Sequence, residues 1–403
     1  MAIRSFVSAC RTARLLPLLA LGSLATAPAA ADETACNARL THVATRFIDN
    51  NNLGGYAVAI AFYDQGTRCF GGFGQIAPGG QAPDRNTIFE IGSVTKVFTA
   101  SLLAIAVDRG VLSLDDTIGA QLPPQFKARA PVGAVTYREL ATHTSGLTRL
   151  PDNVDHDKGY PAMYIDYTPA DFKAWGNTVE PRPQPAAWLY SNAGYGLLGI
   201  AVTKTLAGQG WPMPVYRRLL NETILTPLAM GRTYLPTPDA PRGGPERQQI
   251  DGHKKDGGEA APWPVTPWFA GGALRSTSSN LLRFVEANLG LTTVDGPNGI
   301  VTVPPGLTAA FKLAQTPQMR GDGTPIRPGT SKVNYQALGW EGVMTADGQQ
   351  LKAICKNGGT AGFSAELCFN PDTQRGAVVL VNRNEAPVAN PAVLLVTGED
   401  LVN

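Results

Sequence analysis

Ser93 and Lys96 stand three residues apart at the head of an apolar stretch, a spacing that puts a hydroxyl and an ammonium on one face of a helix. The helix dipole favours negative charge developing on Ser93 and works against the positive charge of Lys96, and apolar surroundings disfavour that charge further. Such a pair suits a nucleophile and its proton partner. Tyr190-Ser191-Asn192 is the single Tyr-x-Asn of the chain. A phenol, with a pKa ordinarily near ~10, becomes a useful base when cations in the same cleft lower it, and two lysines would do so. Asn192 offers a donor and an acceptor to a substrate amide. Lys356-Asn357-Gly358-Gly359 supplies a cation for a substrate carboxylate, and Gly358 lets an extended substrate lie against a strand edge. The backbone N–H groups of Ser93 and Gly359 are then the candidates for an oxyanion hole.

Other matches read as structural. Lys255-Asp256-Gly257 sits in a charged, glycine-rich loop, and Ser278-Ser279-Asn280 is explained by helix capping, with Ser278 as the cap. His143 reads as a packed loop residue. His156, between two aspartates, lacks the His-x-His or His-Glu-x-x-His company of a catalytic zinc, so neither a metal nor a cofactor is expected. A Gly-x-Ser-x-Gly elbow is absent, which removes the α/β-hydrolase route to a reactive serine.

The elements that must carry these residues follow from patterning. Tyr56–Tyr63 and Thr67–Phe73 read as an N-terminal hairpin; Leu351–Lys356, Phe363–Phe369 and Gly376–Asn382 read as three more strands. Together they predict one five-stranded antiparallel sheet built from both ends of the chain, covered by a last helix over Pro387–Val396. Between them the chain is helical and loop-rich. Ser93–Arg109 is apolar nearly all round and predicts a buried central helix. Thr136-x-x-Glu139 is a capping box, Thr168-Pro169 a cap with proline at the first helical position, and Leu281–Leu289 a helix ended by Gly290. The fold class is therefore α/β of the α+β type: an α/β lobe from about 36–110 and 335–403, with an inserted helical lobe over about 111–334. Residues 236–267, dense in Gly, Pro and charge, predict a long surface excursion near the cleft.

Of the 403 residues, 43% are hydrophobic and 16% charged, which argues for a globular chain. The net charge is +2, without a run of one sign, so nucleic acid is not an expected partner. Three arginines, an apolar run over Leu15–Leu24 and Ala29-Ala30-Ala31 before Asp32 read as a signal peptide over 1–31, leaving a mature domain over 32–403 with no membrane span and a net charge of −1. The expected location is the periplasm or the medium, as a monomer. Cys36, Cys69, Cys355 and Cys368 remain in the mature chain; of three connectivities, Cys36–Cys69 with Cys355–Cys368 is favoured, the second pair flanking a glycine-rich hairpin connection equally on both sides.

The stretches Phe89–Lys96, Leu140–Leu147, Tyr190–Asn192, Leu338–Trp340 and Lys356–Phe363 resemble, in order and across residues 40 to 385, the serine β-lactamase family of class C. D-Ala-D-Ala carboxypeptidases, low-molecular-weight penicillin-binding proteins and some esterases share that fold. The resemblance implies that Ser93 is acylated, Lys96 is its proton partner and Tyr190 the base. It makes Asn192 a ligand of the substrate amide, and Lys356 a partner of Tyr190 and of the substrate carboxylate. The implied substrate is a β-lactam or a peptidoglycan-derived D-Ala-D-Ala peptide. Two departures bear on that choice: Asn357 stands where the family usually has Thr or Ser, and Asn390-Pro391-Ala392-Val393 offers no arginine in the last helix. A carboxylesterase, or a penicillin-binding receptor that does not turn over, are the alternatives on the same scaffold.

Overall fold

The run beginning at Tyr56 forms β1 (Val58–Asp64), buried along its whole length, and returns as β2 (Thr67–Phe73). Gln65 and Gly66 between them have φ of 49° and 109°, the two positive values of a hairpin turn that matches strand twist. The computed structural model describes residues 33–399 apart from 125, 127–130, 160–161, 185, 209–212, 244–248, 320–325, 327–334 and 346; the expected leader, 1–31, lies outside the described residues.

The chain rejoins this sheet at its far end, through β3 (Tyr335–Gln336), β4 (Glu341–Met344), β5 (Leu351–Gly359), β6 (Ser364–Asn370) and β7 (Arg375–Val381). The order is β2-β1-β7-β6-β5-β4-β3, antiparallel throughout. The five expected strands are present and join as expected, but the sheet has seven: β3 and β4 are too short to display the alternation that marks a strand in sequence. A second correction concerns β5. The strand expected to end at Lys356 continues: Asn357, and Gly358 and Gly359 of the expected hairpin connection, extend the ladder and pair with Glu366, Ala365 and Ser364.

Five helices matter for the site: α1 (Glu33–Asn50), α2 (Thr95–Asp108), α3 (Asn192–Ala207), α4 (Ser278–Asn288) and α5 (Ala389–Thr397). On one face of the sheet, Val379 and Val381 of β7 pack with Leu40, Val43 and Phe47 of α1 and with Val393 and Val396 of α5. On the other, Val378 and Leu380 meet the larger core formed by α2, α3 and α4. The α1 stripe of Cys36, Leu40, Val43, Ala44 and Phe47 has helical spacing, although the reading of the sequence contains no helix there. Cys36 is bridged to Cys69 of β2, tying α1 to the sheet, and Cys355 to Cys368 across β5 and β6, with Cα atoms 6.1 and 4.2 Å apart. Both pairs are the favoured ones.

α2 is buried from Thr95 to Ala106, as its all-round apolarity requires, and a 3-10 turn over Gly92–Val94 leads into it. Thr136 and Thr168 each cap a helix through a capping box, with Glu139 and Asp171 as the third helical residues. Ser278 is not the cap of α4. Thr277 is, its hydroxyl accepting from Asn280 N at 3.1 Å, because it is Thr277 that has extended backbone while Ser278 is already helical.

Candidate active site

Two glycines bring the head of α2 against β5. Gly92 has φ +47°, and a Cβ there would lie 2.6 Å from the Gly359 carbonyl oxygen and 2.7 Å from its nitrogen. A Cβ on Gly358 would collide with the Ile91 carbonyl. Ser93 therefore meets the end of β5 at backbone-to-backbone distance, which only residues without side chains permit. The other flank is set by residues 143–149. His143 Nδ1 accepts from Ser191 N at 3.1 Å, the Ser191 hydroxyl donates to Thr148 O at 2.7 Å and caps α3 by accepting from Gly194 N at 2.8 Å, and the Arg149 carbonyl accepts from Asn192 N at 2.9 Å. His143 is buried, with φ +62° and its ring 4.3 Å from that of Tyr190. It is the packed residue expected, and it helps to position Tyr190.

Ser93, Lys96, Tyr190, Asn192, Lys356, Asn357, Gly358 and Gly359 all come together here. Lys96 is fully buried; its ammonium donates to Ser93 Oγ at 3.2 Å, to Asn192 Oδ1 at 2.7 Å and to the Gly271 carbonyl at 2.6 Å. None of these partners carries a charge, so burial brings Lys96 down to about 8 against the pull of the Tyr190 phenol, with Lys356 and Arg149 adding to the fall. Burial alone would raise Tyr190. Lys96, Lys356 and hydrogen bonds to Lys96 and Ser93 outweigh it and bring the phenol down to about 8. Lys96 Nζ lies 4.7 Å from the centre of the Tyr190 ring, Arg149 Cζ 5.3 Å and Lys356 Nζ 5.5 Å, so three cations surround one phenol. Lys356 donates to Glu341 Oε1 at 3.1 Å and to Asn357 Oδ1 at 2.9 Å; Glu341 and Tyr190 hold it charged against the effect of its burial, above its ordinary range. Behind Asn357, its register partner Glu366 is buried with Oε2 unpartnered, and burial pushes that carboxyl up to about 8.

The cavity over these groups measures about 700 Å³. Ser93, Tyr190, Asn192, Asn357, Gly358 and Gly359 line it, as do Arg149, Tyr164, Trp188, Trp263 and Glu341, which the reading of the sequence did not single out. Glu341 directly follows Leu338-Gly339-Trp340, and Arg149 lies just beyond the Leu140–Leu147 stretch, so proximity to known motifs was the available signal. The excursion over 236–267 does reach the cleft, through Trp263 and Thr266. The competing motifs do not: Lys255 is an exposed residue paired with Glu385 at 2.6 Å, and Asn280 is inside α4. His156 lies in an exposed 3-10 turn capped by Asp155. A hydroxyl beside a buried amine and a phenol of lowered pKa, next to the backbone of Gly358 and Gly359 at the edge of an open cavity, is an arrangement suited to acyl transfer.

Fold and site thus define a class of serine β-lactamase-like architecture. The chain belongs to the Beta-lactamase family, whose family model matches residues 42–397. It is 27% identical over 382 residues to a beta-lactamase of Lysobacter lactamgenus, covering 92% of each chain. It is 26% identical over 340 residues to the D-alanyl-D-alanine-carboxypeptidase/endopeptidase AmpH of Escherichia coli K12, covering 82% of this chain and 80% of that one. Among solved structures, a class C beta-lactamase superposes with a TM-score of 0.71 at 23% identity over 90% of this chain and 96% of the other. The D-alanine carboxypeptidase AmpC of Burkholderia cenocepacia gives 0.70 at 24% identity over 90% and 99%. These two structures establish the fold.

Proposed function

We propose that this protein is an exported serine hydrolase that opens β-lactams, or cleaves D-Ala-D-Ala peptides, through an acyl-enzyme on Ser93. The observation that carries this reading is the 3.2 Å contact between Lys96 Nζ and Ser93 Oγ beside a phenol brought down to about 8. Tyr190, as phenolate, takes the Ser93 proton while Oγ attacks the substrate carbonyl carbon; the oxyanion is held by the N–H groups of Ser93 and Gly359. Collapse breaks the C–N bond, and the proton on Tyr190 passes to the leaving nitrogen. A water then gives a proton to Tyr190 and adds as hydroxide to the acyl carbon; the ester C–O bond breaks, and Ser93 Oγ takes the proton from Tyr190, restoring the hydroxyl and the phenolate. Asn192 binds the acyl-side amide, while Lys356 and Asn357 receive the leaving-group carboxylate. The catalytic domain spans 32–403, needs no cofactor or metal, and works as a monomer on a small molecule. Export is supported by the two disulfides, and among the described residues no helix is long and apolar enough to cross a membrane.

A second reading, a carboxylesterase, is favoured by one observation: Asn357 Oδ1 and Glu341 already occupy Lys356, where a free ammonium beside a hydroxyl would suit a carboxylate. Intact-mass spectrometry after a penicillin pulse tests the main reading. The adduct should form and be absent from Ser93→Ala; an adduct on that variant would place the nucleophile elsewhere. An adduct persisting for hours would indicate a receptor, and turnover of a short ester without nitrocefin or D-Ala-D-Ala peptide turnover would select the esterase.

A further inference from the structure

The three cations around Tyr190 differ in what they already hold. Lys96 is occupied by Ser93, Asn192 and Gly271, and Lys356 by Glu341 and Asn357. The Arg149 guanidinium reaches the face of the Tyr190 ring, yet among the described residues no carboxylate pairs with it and no acceptor receives its N–H groups. Its side chain is exposed and borders the cavity together with Tyr164 and Trp188. An arginine with its donors unspent, on the wall of a cleft, is the group best suited to a planar anion.

Its place also says which part of a substrate it faces. The Arg149 carbonyl accepts from Asn192 N, so the backbone of the residue is tied to the amide-binding Asn192 at the head of α3, whereas Lys356 and Asn357 belong to β5. A leaving-group carboxylate directed to Lys356 therefore leaves Arg149 free for a second anion on the other side of the scissile bond.

We propose that Arg149 makes the acyl side of this cleft selective for substrates whose acyl group itself carries a carboxylate. The inference rests on the acyl-transfer reading above and adds the class of acyl group. Such substrates are dianions when they also bear a leaving-group carboxylate: acidic-side-chain β-lactams, or peptides in which the residue contributing the scissile carbonyl, or its neighbour, bears a free acid. Tyr164 and Trp188 supply apolar surface for the body of that group.

Carbenicillin and benzylpenicillin differ by a single carboxylate on the acyl side chain, so the ratio of their acylation rate constants at Ser93 isolates the effect. Arg149→Ala should lower the carbenicillin-to-benzylpenicillin ratio by about ten- to a hundredfold, the range of one charge-assisted hydrogen bond. Arg149→Lys should retain part of the preference, and added salt should compress the parent ratio. If both rates move together and the ratio stays within about twofold, well inside that range, Arg149 acts only through Tyr190 and the proposal fails. If neither penicillin acylates the parent, the β-lactam reading is what fails. The same ratio read with p-nitrophenyl hydrogen adipate against p-nitrophenyl hexanoate, equal in chain length but for the terminal acid, then decides the proposal: a fall in Arg149→Ala supports it and an unchanged ratio overturns it.

Discussion

Glu90 and Ser93 are three residues apart, but charge is buried around them in opposite ways. Glu90 pairs with Arg275 at 3.1 Å with both side chains fully buried. Arg275 donates besides to Gln249 Oε1 at 2.9 Å and to the carbonyls of Ala273, Trp263 and Pro241 at 2.7, 2.7 and 3.2 Å. Glu90 Oε1 accepts from Trp263 N and Gln249 Nε2 at 2.7 and 3.0 Å. Opposite charges, with Glu90 Oε1 shared among three donors and only Glu90 Oε2 left without one, make a joint that holds the Phe89–Glu90 and Arg275–Ser276 strands beside the head of α2. Around Ser93 the balance is reversed: Lys96 is buried on neutral acceptors, and like charges crowd one phenol beside an open cavity. The first arrangement fixes geometry. The second disfavours the charged lysine and favours the phenolate of Tyr190, which brings both groups to about 8, near neutral pH.

The widest contrast comes from removing one cation of each kind. Lys96→Met should lower acylation by ~10²–10⁴-fold, the range for a general acid or base, without lowering the melting temperature, because it removes an uncompensated buried charge. Arg275→Met should do the reverse. It strands Glu90 and should cost ~3–5 kcal/mol of stability, read by urea unfolding. Comparable stability losses in both variants would mean that the two sites are not different in kind.

A smaller effect is expected at the mouth of the site. Asn357→Thr replaces the amide that now accepts from Lys356 with a hydroxyl donor for a carboxylate. The ratio of kcat/KM on nitrocefin to that on p-nitrophenyl acetate should rise by about tenfold, equivalent to ~1.4 kcal/mol. A fall in that ratio would show that Asn357 already belongs to the carboxylate site.

How far the sequence carries this contrast depends on what each residue needs to be recognised. The eight site residues sit in short motifs whose residue types and spacing state their chemistry, and all eight converge. The strands bearing them have apolar runs long enough to read, whereas β3 and β4, of two and four residues, do not. Glu341, which neutralises Lys356, comes from β4, so its partnership depends on a sheet neighbour invisible to patterning. Arg149 and Trp263 reach the cleft from loops, and a loop side chain gains its direction only from tertiary contacts. The Glu90–Arg275 joint is likewise a pair 185 residues apart, with nothing local to announce it.

The pH dependence of acylation tests the central claim most directly, that crowded cations make Tyr190 a base near neutrality. A group needed as phenolate is lost as the pH falls through its pKa, so stopped-flow acylation should rise with pH through an apparent midpoint near the value of about 8 shared by Tyr190 and Lys96, and plateau above it. In Tyr190→Phe the rate should drop by more than about a hundredfold, with that limb displaced or abolished. A Phe variant that keeps the parent's rate within a few-fold, and the same midpoint, would contradict the account and assign the proton transfer to Lys96 alone.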